Sequence, residues 1–225
     1  MSDMQFTALR AMMVQEILAH AQFAREQIGK DRLDRAVLDA LGRVPRHDFV
    51  PAQLREYAYA DSPLPIGYGK TISQPFIVAL MTDLLEIKPS DQVLEIGTGL
   101  GYQAAILAEL AARIFSVEIV EELFEEASTR LKRLSYKNIE LKRGDGHYGW
   151  PEHGPFDKIM VTAAPELVPP PLLLQLKAGG RMVIPAGIAD AQQLMLVTKD
   201  ATGRTTIREV LPVRFSVFEL GERDA

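Results

Sequence analysis

The chain has 225 residues, 47% hydrophobic and 24% charged, with a formal net charge of −5 and no cysteine. That composition is ordinary for one globular α/β domain and excludes wholesale disorder. It also excludes disulfides, thiolate catalysis and cysteine-held zinc, and the charge gives no sign of an extended nucleic-acid surface.

No apolar run approaches the roughly 20 residues needed to span a bilayer. The N-terminal MSDMQFTALRAMM lacks the uninterrupted apolar core of a signal peptide. The expectation is a cytoplasmic protein with neither membrane nor nucleic-acid partners. In chain order, Leu9, Met12, Met13, Ile17, Ala21 and Ala24 recur close to a 3.6-residue period, which predicts a helix over 5–27 ended by Gly29. Asp31 is the expected N-cap of a second helix carrying Leu33, Val37, Leu38 and Leu41 on one face. Pro45 and Pro51 bracket a turn. The stretch 57–70, with Pro63, Pro65, Gly67 and Gly69, reads as an ordered loop. Pro75 suits the first position of a helix running to about Glu86.

From Asp91 the chain alternates. Strands are expected at 91–96, 113–118, 139–143, 157–162 and 180–185. Helices are expected at 102–111 and 120–134, with a short one near 170–177. Strands near 192–199 and 205–213 form a closing hairpin with Gly203 in its turn. This pattern predicts an α/β, Rossmann-like domain with a mostly parallel sheet covered on both faces, a C-terminal antiparallel hairpin and an N-terminal helical segment. Residues 1–70 read as a helical and loop extension of a single domain, and 71–225 as its α/β core.

Three stretches carry chemistry. The first is VLEIGTGLGYQAA, Val93 to Ala105, in which an apolar strand ends in Glu95 and passes through Gly97, Thr98, Gly99 and Gly101 into a helix. Alternating glycines let a ligand lie against backbone, and Glu118 closes the next strand where a ribose-binding carboxylate is placed in such folds. Gly99-x-Gly101-x-x-Ala104 fits a dinucleotide fingerprint, but counted from the strand end the third small residue is replaced by Tyr102. Both a nicotinamide site and an S-adenosylmethionine site stay open at this point.

The second stretch is TISQP, Thr71 to Pro75. Ser73 and Gln74 there either cap the following helix or form a donor cluster for an anionic substrate at its N-terminus. The third is Gly144-Asp145-Gly146, which is either a plain turn or an acceptor for an adenine amino group. The histidines, His20, His47, His147 and His153, lack metal-ligand spacing, so no metal site is expected, and His47 reads as structural.

Taken with RVPRHDFVP (43–51), DSPLPIGYGKTISQPFIVALMTDLL (61–85), FSVEIVEEL, RGDGHYGWP, FDKIMVTAAPELVPPPLLLQLKAGGRMVIPAG and VRFSV, these motifs resemble the protein-L-isoaspartate (D-aspartate) O-methyltransferases over nearly the whole chain. The resemblance implies a Class I methyltransferase fold and S-adenosylmethionine as cofactor, bound at Glu95, Gly97, Thr98, Gly99 and Gly101. By the same resemblance Glu118 holds the ribose, and Asp145 and Gly146 meet adenine. Ser73 is implied as the catalytic hydroxyl, with Thr71, Ile72, Ser73, Gln74, Val213, Arg214 and Phe215 on the substrate. The implied substrates are isoaspartyl residues of damaged proteins and peptides, methylated on their free carboxylate to start repair through a succinimide, by a monomeric enzyme. A carboxylate with an ordinary pKa near 4 is already ionised at neutral pH, so the absence of an obvious general base is consistent with this chemistry. Val213 to Leu220 reads VRFSVFEL where the family usually reads close to VRFVPL, a departure that bears on substrate fit rather than cofactor binding.

Overall fold

The computed structural model describes residues 1–221. Helix α1 (Asp3–Ile28) opens with a capping box, Ser2 and Gln5 satisfying each other's backbone N–H, and closes at Gly29 with φ of 75°. Helix α2 (Arg35–Arg43) is capped by Asp34 rather than the expected Asp31. The Asp34 side chain accepts from Ala36 N at 2.8 Å, while its own N–H donates to the buried Asp83 carboxylate at 2.6 Å. That second bond ties the helix start to the interior at Asp34, three residues later than Asp31.

The stretch read as a loop contains structure. Strands β1 (Leu64–Gly67) and β2 (Lys70–Ile72) form a small antiparallel hairpin, burying Leu64, Ile66 and Ile72. Pro65 and the glycines masked the alternation in the sequence, and the division drawn at residue 70 runs through β2. Helix α3 (Pro75–Leu84) begins at the predicted proline and stops two residues before Glu86, which has φ of 49°.

The main sheet has seven strands in the order β5-β4-β3-β6-β7-β8-β9. They are β3 (Gln92–Ile96), β4 (Arg113–Glu118), β5 (Ile139–Arg143), β6 (Phe156–Val161), β7 (Leu176–Ile188), β8 (Ala191–Lys199) and β9 (Thr205–Val213). The first five run parallel, and β8 and β9 add antiparallel. β7 begins four residues earlier than expected because Leu176 pairs with Phe156 ahead of a bulge. Helix α6 (Pro170–Leu174) is correspondingly shorter than predicted.

One face of the sheet packs on α1 to α3, α4 (Tyr102–Ala108) and α5 (Glu121–Arg133), through residues such as Ile17, Leu41, Leu80, Val93 and Leu123. The other face, Leu94, Ile96, Phe115, Ile159 and Met182, lies under α6 and residues 144–155. The N-terminal helices therefore share a core with the sheet. Since β3 is followed by β4 on one side and flanked by β6 on the other, the switch point lies at the carboxyl ends of β3 and β6, where open sheets place ligands. Among the described residues, no helix is long and apolar enough to cross a membrane.

Candidate active site

The turn after β3 rests on the end of β6. Gly97 has φ of 92°, and a Cβ there would overlap Thr162 Oγ1, which donates to the carbonyls of Gly97 and Ile96 at 2.7 and 3.0 Å. Only glycine meets both demands. Gly99 N donates to Glu118 Oε2 at 2.7 Å, and Ile119 N and Val120 N both donate to Glu118 Oε1 at 3.0 Å. Burial pushes the Glu118 carboxyl upward in pKa while these three N–H groups oppose that shift. Oε1 is saturated by two donors, while Oε2, with one, keeps a free lone pair, and Glu118 lines the cleft described next.

Glu95 lies beneath the turn, 0% exposed, bonded to Ser116 Oγ, which in turn lies 2.6 Å from Thr98 Oγ1. Its Oε1 has no partner. Burial pushes the Glu95 carboxyl up to about 8, against the Ser116 hydrogen bond and with the help of Glu118. Glu95 therefore supports the turn from below and does not line the cleft. Gly101, with φ of 93°, starts α4 against Leu131 and also lies outside it.

Two clefts lie beside this turn and share a wall. The first, about 560 Å³ with its open mouth, is lined by Gly97, Gly99, Glu118, Gly146, Thr162 and the tail residues Ser216 to Glu219; that size is usual for small-molecule sites. The second, about 980 Å³, is lined by Thr71, Ser73, Gln74, Val213, Arg214 and Phe215, among others. The structure thus brings together the two segments expected to hold substrate, which lie some 140 residues apart in sequence. Thr71, Thr162 and Ser216 belong to both clefts, and a small chamber joining them takes in Ile72, Ser73, Thr98 and Gln103.

The capping alternative for TISQP does not hold. Gln74 occupies the N-cap position, but neither its side chain nor that of Ser73 makes a capping bond; the Asp61 carboxylate does so instead, accepting from Phe76 N at 2.7 Å and also from Gln74 Nε2 at 2.8 Å. The Ser73 carbonyl accepts from Arg46 Nη2 at 2.7 Å. His47 is structural as expected, stacked on Phe6 with its Nδ1 2.7 Å from Tyr59 Oη.

Asp145 sits at the rim with both oxygens engaged, accepting from His147 N at 2.8 Å and Gly221 N at 2.9 Å. Gly146, not Asp145, lines the cleft, and a Cβ there would strike Ile96. The tail closes this side. Phe218 is buried against Gly146, Ala164 pairs with Val217, and Lys70 Nζ lies 2.5 Å from Glu219 Oε1. Thr162, Ser216 and Phe218 were not among the expected site residues, and the segment Val213 to Leu220, expected to bear on substrate fit rather than cofactor binding, reaches into the first cleft through Ser216 to Glu219. The strand-end position of Thr162 was the one available signal.

The protein-L-isoaspartate(D-aspartate) O-methyltransferase family model matches residues 21–222. A protein-L-isoaspartate O-methyltransferase of Polaromonas sp. is 58% identical, over 99% of this chain and 94% of that protein. A solved protein-L-isoaspartate O-methyltransferase superposes with a TM-score of 0.79 at 28% identity, over 92% of this chain and 65% of the other. A Plasmodium falciparum protein assigned the same activity, and solved in complex with S-adenosyl-L-homocysteine, shares the fold with a TM-score of 0.74 at 24% identity, over 91% and 97% of the two chains.

Proposed function

The chain belongs to the protein-L-isoaspartate(D-aspartate) O-methyltransferase family, and from that premise we propose that it methylates the free carboxylate of isoaspartyl residues in damaged proteins and peptides, with S-adenosylmethionine as methyl donor. The glycine-walled first cleft, with an acidic group at its β4 end and no room for a side chain at Gly97 or Gly146, suits a nucleoside held against backbone. When bound, S-adenosylmethionine supplies a methyl group on a sulfonium centre, open to in-line displacement by an anionic oxygen.

Glu118 Oε2 would accept from the ribose hydroxyls. Gly146 would face the adenine, with Asp145 accepting from its amino group alongside the bonds it already holds. Gly97, Thr98, Gly99 and Gly101 form the turn, and Glu95 supports it. Thr71, Ile72, Gln74, Val213, Arg214 and Phe215 would seat the peptide. The observation that carries the reading is Ser73. Its residue lines both the joining chamber and the second cleft, and its hydroxyl has no hydrogen-bond partner among the described residues. Ser73 Oγ would orient the attacking carboxylate near the reacting distance of about 3–3.5 Å. No base is needed, because the nucleophile is already ionised; a single neutral donor aligns it without quenching it.

We read the protein as cytoplasmic, which suits its lack of cysteine, and as a monomer, which light scattering in solution tests. The activity is tested by transfer from labelled S-adenosylmethionine to matched isoaspartyl and aspartyl peptides, scored as base-labile methanol. Label on the isoaspartyl peptide alone is expected. Label on neither, with the cofactor bound, would move the chain to another acceptor.

A further inference from the structure

Arg46 is 0% exposed, an unusual place for a guanidinium with no carboxylate on it. It is held by two backbone carbonyls and a ring: Nε donates to Ala58 O at 2.8 Å, Nη2 to Ser73 O at 2.7 Å, and Cζ stands 4.8 Å from the centroid of the Tyr102 ring. Tyr102 opens α4 directly behind the glycine turn. One planar side chain therefore links the residue proposed to orient substrate, the turn at Ala58 and the first residue of the helix behind the cofactor turn.

Asp61 closes the circuit three residues after Ala58. Its side chain is 1% exposed. It accepts from Gln74 Nε2 and Phe76 N, and His20 Nδ1 bonds to the same carboxylate from α1. Ser73 is thus fixed from both directions, by a cation on its own carbonyl and by an anion on the two residues flanking Pro75. Neither group lines either cleft.

We propose that Arg46 and Asp61 are positioning residues for methyl transfer, fixing the Ser73 segment so that its hydroxyl meets the attacking carboxylate; this rests on the reading of Ser73 given above. Lysine cannot replace the arginine, because a compact ammonium cannot span two carbonyls and lie on a ring at once. A misplacement of about 1 Å in such a group costs on the order of 100-fold in rate, so even a small relaxation of the segment is measurable.

The test compares Arg46→Lys and Asp61→Asn in two backgrounds, native and Ser73→Ala, reading kcat and KM for an isoaspartyl peptide, cofactor affinity by calorimetry and the melting temperature. In the native background each substitution is expected to lower kcat by about tenfold or more, with cofactor affinity changed less than about twofold. In the Ser73→Ala background each should cost almost nothing further. An equal loss in both backgrounds, or a loss that follows cofactor affinity and melting temperature, would overturn the positioning role while leaving Ser73 standing. Full kcat in Ser73→Ala alone would overturn the reading of Ser73, and this proposal with it. Should Arg46→Lys not fold, Asp61→Asn decides by the same comparison, since it keeps the side-chain size and an acceptor for Phe76 N.

Discussion

Thr162 Oγ1 donates to the Gly97 carbonyl at 2.7 Å and occupies the space that a Cβ on Gly97 would require. The end of β6 is therefore fitted to the turn after β3, and the floor of the first cleft is a contact between two strand ends.

Gly97→Ala is expected to weaken cofactor binding by at least about tenfold and to destabilise the fold by about 1–3 kcal/mol, through the positive φ and the displaced hydroxyl. Adding Thr162→Ala should recover part of the stability, because the overlap is removed while the strained φ remains. Urea unfolding of the two single variants and the double variant measures the coupling; strict additivity would contradict the contact.

Glu118→Ala is expected to lower S-adenosylmethionine affinity by about 1–3 kcal/mol, through loss of charge-assisted hydrogen bonds to the ligand and to Gly99 N. Glu118→Gln should cost less, because an amide oxygen still accepts. Calorimetry at fixed pH decides; unchanged affinity in the alanine variant would remove Glu118 from the ribose.

Glu95 links stability to pH. Its carboxyl is raised from an ordinary 4.5 to about 8 in the folded chain, so between those values the native state holds a proton that the unfolded state has released. The stability contributed by that proton is fully present below about 4.5 and is lost as pH rises through about 8. Glu95→Gln, which cannot ionise, should flatten the fall in urea midpoint between pH 5.5 and 8.5 and exceed the native chain at the upper end. Parallel profiles for the two proteins would show that Glu95 is ionised throughout.

Phe218→Ala is expected to weaken cofactor binding several-fold while leaving the peptide KM at saturating cofactor nearly unchanged, since this ring seats on Gly146 in the first cleft and not in the second. Equilibrium binding and peptide titrations at saturating cofactor separate the two effects. A change confined to peptide KM would reverse the assignment of the tail.

Much of the fold was legible because parallel strands buried on both faces advertise themselves as apolar runs, and glycine marks their ends. The α/β class, the closing hairpin, the start of α3 at Pro75 and the family likeness all follow from such local signals. The convergence of Thr71 to Gln74 with Val213 to Phe215 on one cleft came from resemblance, since no periodicity connects segments so far apart. Arg46 and Asp61 were opaque for a physical reason. Charged residues in RVPRHDFVP and DSPLPIG read as surface by composition, and only tertiary burial reveals that Arg46 satisfies the carbonyls of Ala58 and Ser73 and that Asp61 satisfies the N–H of Phe76. Asp34 replaced Asp31 as a cap for the same reason: its N–H answers to Asp83, nearly 50 residues away in sequence.

The six residues from Arg214 to Glu219 wall both clefts, Arg214 to Ser216 lining the second and Ser216 to Glu219 the first. On the proposed function, recognition of two unlike molecules falls to one short ribbon beyond the last strand, anchored to the core through Phe218. A change of acceptor can evolve in the first half of that ribbon without rebuilding the sheet. On the same reading the second half answers to the methyl donor, so the two halves should diverge at different rates, with Ser216 shared between them.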